Sequence, residues 1–256
     1  MKKRLKTEAV LLGIIWILLL VLSLVLLSNL VVFFENNSQG QSAISLSWSG
    51  YLVSENISGA PIELTSISGS WVIPQINTSS VQGFSSTWIG IGGQFDKTLI
   101  QVGTEQDSVN EKDSYSAWYE MLPGLSMRLF NMTVSPGDTI VASISLFDST
   151  INKWNIQISD QTNGQSFNQN FIYNSTQSSG EWIVERPTIN NQISNLADFG
   201  NITFTNCQLT ADNITGSIAS CYHSSLQMRD SLSSTLTTVS PLKIEGSSFT
   251  VSYRAS

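Results

Sequence analysis

The segment GEWIVERP, residues 180–187, sets two carboxylates four positions apart, Glu181 and Glu185, around Trp182, Ile183 and Val184. The apolar centre, with Gly180 and Pro187 flanking it, predicts a short strand. Alternate side chains of a strand share a face, so Glu181, Ile183 and Glu185 point one way and Trp182 and Val184 the other. An acid on the face opposite an apolar one can do hydrolytic chemistry. As a carboxylate it takes a proton from water, and as an acid it returns the proton to a leaving group. Other hydrolytic machinery is scarce. His223 is the only histidine and no nucleophile motif lies near it, which disfavours Ser–His–Asp and Cys–His mechanisms.

The elements that must hold such a pair begin after a distinct N-terminus. Behind the basic flank 1–8, with Lys2, Lys3, Arg4 and Lys6, the stretch 9–34 carries no charge over 26 residues. About 20 apolar residues suffice to cross a bilayer as a helix. The run is longer than the apolar region of a cleaved signal and ends in bulky VVFF. An uncleaved transmembrane signal anchor is therefore expected, with the flank cytoplasmic and the C-terminal portion outside. Cleavage would instead release that portion. Residues 35–44 are polar and predict a tether, and 45–256 suit one large domain. Without the anchor and its flank, eight basic and eighteen acidic residues remain, a net charge near −10. That balance excludes nucleic acid and anionic lipid as partners of the domain, leaving the membrane to the N-terminal helix.

Outside the cytoplasm, the cysteines Cys207 and Cys221 are expected to pair as a disulfide. The alternative, a metal site with His223, has only three scattered potential ligands, and neither metal nor cofactor is expected. Seven Asn-x-Ser/Thr sequons, from Asn36 to Asn213, are compatible with a glycosylated surface.

Past the tether, short alternating apolar runs recur between Gly, Asn, Ser and Pro clusters. They fall at 66–74, 85–93, 97–105, 115–122, 138–147, 153–159, 181–185, 200–207 and 248–254. No helical period competes with them, so the chain reads as all-β, a sandwich or barrel. Pro136-Gly137 marks a tight turn. Of the tryptophans, Trp71 and Trp182 read as core. In YSAWYE, Ser116, Trp118 and Glu120 share one face, an aromatic beside a carboxylate, as in a lined cleft.

Several of these stretches together resemble the eqolisin-type glutamic peptidases. They are SWSG (47–50), SGSWVIP (68–74), TWIGIGG (87–93), LIQVGTE (99–105), YSAWYEMLP (115–123), VSPGDTI (134–140), EWIVERP (181–187) and ADFGNITFTNC (197–207). The resemblance implies a concanavalin-like sandwich of two antiparallel sheets with a cleft across one face. It implies an extracytoplasmic acid endopeptidase acting on polypeptides. Glu185 would be general base and then acid, Gln101 would steady the tetrahedral intermediate, and Trp48, Trp88, Trp118 and Glu120 would line the cleft. An amide suits the role of Gln101, because its NH2 donates without titrating. Leu99, Gln101 and Gly103 share a strand face, so Gly103 is expected to leave room for a substrate backbone. The fungal members carry aspartates where this chain has Gly92 and Ser116, which puts an extreme acid optimum in question. Two other readings stand beside this one. One is a glycoside hydrolase using Glu181 and Glu185. The other is a non-catalytic, lectin-like or surface-layer module.

Overall fold

The computed structural model describes residues 41–77, 82–124, 127–128 and 131–254. The expected flank 1–8, anchor 9–34 and most of the tether lie outside them. Among the described residues no helix is long and apolar enough to cross a membrane. The strands are β1 (Ser42–Ser45), β2 (Trp48–Asn56), β3 (Leu64–Val72), β4 (Gly83–Gly92), β5 (Leu99–Val109) and β6 (Lys112–Leu122). Then come β7 (Met127–Arg128), β8 (Thr139–Asp148), β9 (Lys153–Asp160), β10 (Ser166–Ile172), β11 (Gly180–Glu185) and β12 (Thr188–Ile189). The chain continues through β13 (Gln192–Ile193), β14 (Asn201–Ala211), β15 (Ile214–Ser217), β16 (Cys221–Met228), β17 (Thr237–Val239) and β18 (Phe249–Tyr253). Each apolar run read from the sequence forms a strand.

Two large sheets result. The first has the order β1-β16-β2-β11-β4-β5-β6-β7, the second β10-β9-β8-β3-β14-β18-β17. All pairings in them are antiparallel except β1 on β16, where Ser42 lies opposite Ser225. β1 thus draws the last residues of the expected tether, 42–44, into the sheet edge. The turn at Pro136-Gly137 forms as predicted. Asp138 N–H bonds the Ser135 carbonyl at 3.1 Å, and Gly137 takes φ +90, the positive value that a type II turn requires at that position.

Strand alternation decides which face of the first sheet does what. Trp182 and Val184 of β11 join the main core with Trp71, Trp154, Phe204 and Phe249. Ile183, between them, belongs to a separate cluster on the opposite face, with Leu52, Trp88, Leu99, Trp118 and Leu226. Polar groups that turn toward the main core form a closed network. Gln106 Oε1 accepts from Thr87 Oγ1 at 3.2 Å and from Ser85 Oγ at 3.4 Å. Its Nε2 donates at 2.8 Å to Thr104 Oγ1, which also accepts from Trp71 Nε1 at 3.0 Å. Buried polar groups satisfied this way fix the register of β4 and β5 rather than weakening them.

The expected disulfide is not present, since Cys207 and Cys221 are both free and buried. Cys207 lies on β14 of the second sheet and Cys221 opens β16 of the first. The Cys207 thiol lies instead 3.9 Å from the carbonyl oxygen of Thr205 on its own strand. Burial pushes the Cys207 thiol far up, which leaves it an inert core group.

Candidate active site

The face of the first sheet away from the main core carries a cavity of about 540 Å3. Its position follows from register. β11, β4, β5 and β6 lie side by side, so residues of one cross-strand row share the face. One row runs Trp48, Glu185, Ser86, Glu105, Ser116. A second runs Ile183, Trp88, Gly103, Trp118, and a third Glu181, Gly90, Gln101, Glu120. Glu185 and Gln101 therefore lie on one face, two strands apart and on a diagonal, with Trp88 at its midpoint. Both border the cavity, together with Trp48, Trp118, Glu120, Leu99 and Leu122. Residues 187–189, directly after β11, close one side.

Glu185 is held rather than free. Trp88 Nε1 donates to its Oε2 at 2.9 Å, and the Trp48 ring stands edge-on to Trp88 with centroids 5.1 Å apart. Burial pushes the Glu185 carboxyl up to about 7. The bonds from Trp88 and Trp48 act against that shift, and the charge of Glu120 adds to it. Glu120 is in turn raised by burial and partly lowered by Gln101. The Gln101 amide donates to Glu120 Oε2 at 2.7 Å. Arg186, the adjacent cation, turns away from Glu185 and donates to the Leu46 carbonyl at 2.7 Å.

Two expected cleft residues take other places. Trp88 has no exposed surface and does not border the cavity. It sits beneath the cavity and supplies the donor to Glu185. Gly103 also leaves room for the protein rather than for substrate. A Cβ there would meet Trp88 Cβ at 2.6 Å and the Thr87 carbonyl oxygen at 2.3 Å. Gly103→Ala is accordingly expected to lower stability by about 2–4 kcal/mol, the range of strongly overpacked core changes, read from urea unfolding. Gly92, where the resemblance would place an aspartate, has φ +94, and a Cβ would meet the Thr98 carbonyl oxygen at 2.4 Å. The backbone here does not admit that acid.

Sequence reasoning passed over Glu105 and Asp107, both of which border the cavity. The signal was available: the face of β5 that carries Leu99, Gln101 and Gly103 continues to these two acids. Burial pushes Asp107 up to about 7, against a lowering bond from the Ser85 backbone. Glu181, by contrast, is fully buried and lies outside the lining.

Comparison with known proteins agrees with this architecture. The peptidase A4 family model matches residues 46–253. Aspergillopepsin-2 of Aspergillus niger is 30% identical over 136 residues, 51% of this chain and 48% of that protein. Scytalidopepsin B of Scytalidium lignicola is 28% identical over 152 residues, 53% of this chain and 56% of that protein. The chain thus spans about half the length of the curated relatives it matches. Among solved structures, scytalido-glutamic peptidase with a transition state analog inhibitor superposes with TM-score 0.67 at 21% identity, covering 82% of this chain and 99% of that one. Aspergilloglutamic peptidase from Aspergillus niger gives 0.60 at 28% identity, covering 67% and 99%.

Proposed function

Since this chain belongs to the peptidase A4 family, the eqolisins, on its match over residues 46–253, we propose that it is a glutamic endopeptidase in which Gln101 and Glu185 act together on peptide bonds. One observation carries the pairing. Both side chains border the same cavity, and Glu120 links them, bonded to the Gln101 amide and close enough for its charge to act on Glu185. In the proposed reaction the Glu185 carboxylate takes a proton from water, and the water oxygen attacks the peptide carbonyl carbon. The oxyanion so formed accepts a hydrogen bond from Gln101 Nε2. That nitrogen carries two N–H groups, so one stays on Glu120 while the other serves the oxyanion. Glu185 then returns its proton to the leaving nitrogen and the C–N bond breaks. Trp48, Trp118 and Leu122 offer apolar surface to side chains of an extended polypeptide.

The reading extends to location. The uncharged stretch 9–34 behind a basic flank supports a domain anchored outside the cytoplasm, or released if that stretch is cleaved. A glycosidase using Glu181 and Glu185 finds no support. Both carboxyl groups of a glycosidase must face the substrate, and Glu181 has no exposed surface and does not border the cavity.

Purified chain is expected to cleave unfolded protein substrates. Gln101→Ala is expected to lower kcat by about 10²–10³-fold, the usual loss of an oxyanion donor, with circular dichroism unchanged. Undiminished turnover in Gln101→Ala would remove this mechanism. Peptide binding without cleavage by the unaltered chain would favour a non-catalytic module.

A further inference from the structure

Glu181 is the one acid of EWIVE to which the proposed reaction gives no task, and its surroundings are unusual. It has no exposed surface, and neither carboxylate oxygen has a hydrogen-bond partner among the described residues. The same is true of one atom of the proposed catalytic pair. Gln101 is 4% exposed and its Oε1 is buried without a partner, although its Nε2 is bonded to Glu120. Leaving such groups unpaired costs about 1–3 kcal/mol each, so two complementary ones in one cross-strand row call for a joint explanation.

Register brings them together. Glu181 pairs with Gly90, and Gly90 pairs with Gln101. Their Cα positions lie two strand spacings apart, about 9–10 Å, on either side of a residue that carries no side chain. Gly90 has no room for one. A Cβ there would meet Leu99 Cδ1 and Trp88 Cζ3 at 2.9 Å and Gln101 Cβ at 3.3 Å. Leu99 and Trp88 therefore pack directly over Gly90.

We propose that the Glu181 carboxyl group donates a hydrogen bond to Gln101 Oε1, directly or through one water, and so fixes which way the glutamine amide faces. The donor inventory requires this direction. An amide oxygen only accepts, and an ionised carboxylate only accepts, whereas a protonated carboxyl has one O–H to give. The alternative amide orientation would set Oε1 against Glu120 and take the donor away from the substrate. Glu181 is thus a positioning residue that acts through Gln101. Its neighbours favour the protonated form. Burial raises it well above the usual range, the charge of Asp96 adds to the shift, and the nearby Ser179 hydroxyl, itself without a hydrogen-bond partner among the described residues, opposes it only in part. The other acids on this face are Glu120 at the far end of the row, Glu185 four residues along β11, and Glu105 and Asp107 further along β5.

The inference rests on the peptidase reading, so its test needs readouts of both kinds. Glu181→Gln keeps the shape and supplies an N–H donor; Glu181→Met keeps the length and supplies none. With a peptide substrate, Glu181→Gln is expected to hold kcat within about threefold. Glu181→Met is expected to lose about tenfold or more in kcat while KM stays within about threefold, as a misplaced catalytic group would. Independently of activity, the Gln101 side-chain amide resonances, identified by their loss in Gln101→Ala, are expected to shift in Glu181→Met far more than in Glu181→Gln. An infrared band of a protonated carboxyl at mildly alkaline pH is expected in the unaltered chain and not in Glu181→Gln. Full kcat and unshifted amide resonances in Glu181→Met would overturn the positioning role and leave the peptidase reading intact, as would an infrared band that survives in Glu181→Gln. Shifted resonances in a chain that cleaves no peptide would do the reverse.

Discussion

Glu185→Gln is expected to lower kcat/KM by about 10²–10⁴-fold, the span that a general acid–base group contributes, without loss of fold. The substitution isolates the chemistry. Glutamine keeps an oxygen to accept the 2.9 Å bond from Trp88 Nε1 and keeps the volume, so only the proton-accepting carboxylate is removed. The pH profile of the unaltered enzyme makes the same point from the other side. Burial holds Glu185 near 7, so its carboxylate is a minority species in acid. A general base must be ionised, and kcat/KM should then rise about tenfold per pH unit from 4 and level off near 7. The working range therefore moves from strong acid toward neutrality. Peptide cleavage at successive pH values checks this. Maximal activity at pH 3–4 would mean that the protonated form starts the reaction, which contradicts the role of general base.

The folded chain is expected to be most stable in acid and to lose stability between about pH 4 and 7. Asp107 and Glu185 are both raised to about 7 from ordinary values of 3.8 and 4.5, and Glu120 and Glu181 are raised as well, all chiefly by burial. The sign follows from proton counting. Between the unfolded and folded values the native state binds more protons than the unfolded one, so unfolding becomes easier as pH rises through that window. Below the unfolded values the full stability is present. At about 1.4 kcal/mol per unit, and after discounting for residual solvent around Asp107, Asp107 and Glu185 together account for on the order of 3–6 kcal/mol. That is a large share of a typical domain stability of roughly 5–15 kcal/mol. The midpoint of thermal unfolding is expected to fall by about 10 °C or more from pH 4 to 7.5. Asp107→Asn still accepts from the Ser85 backbone and cannot ionise. It should match the unaltered chain at pH 4 and melt several degrees higher at pH 7.5. A midpoint that rises with pH would show that these carboxyls are not held protonated by burial.

Much of the first sheet was legible because β4, β5, β6 and β11 alternate cleanly and their residue types are unambiguous. GEWIVERP reads as a strand with Glu181, Ile183 and Glu185 on one face, and the register bears out that division. The weaker strands β10 and β16 were not read. SFNQNFI is mostly exposed at a sheet edge, and CYHSSLQM buries few of its side chains fully, so neither carries a strong apolar period. Their pairing comes from neighbours far along the chain. The expected disulfide failed for a related reason: spacing along the chain says nothing of whether two thiols meet in the fold.

Sequence alone determined the strand faces, the acids and amide available for chemistry, and the shortage of any competing nucleophile, because side-chain period and residue type are local properties. It could not determine which of the residues on one face meet solvent. Glu185 borders the cavity and Glu181, on the same strand and facing the same way, has no exposed surface. The strands next along its row, β4 and β5, come from about 80–90 residues earlier in the chain. Burial is a property of what packs on top, and so is the proton affinity that follows from it, and only the folded arrangement supplies either.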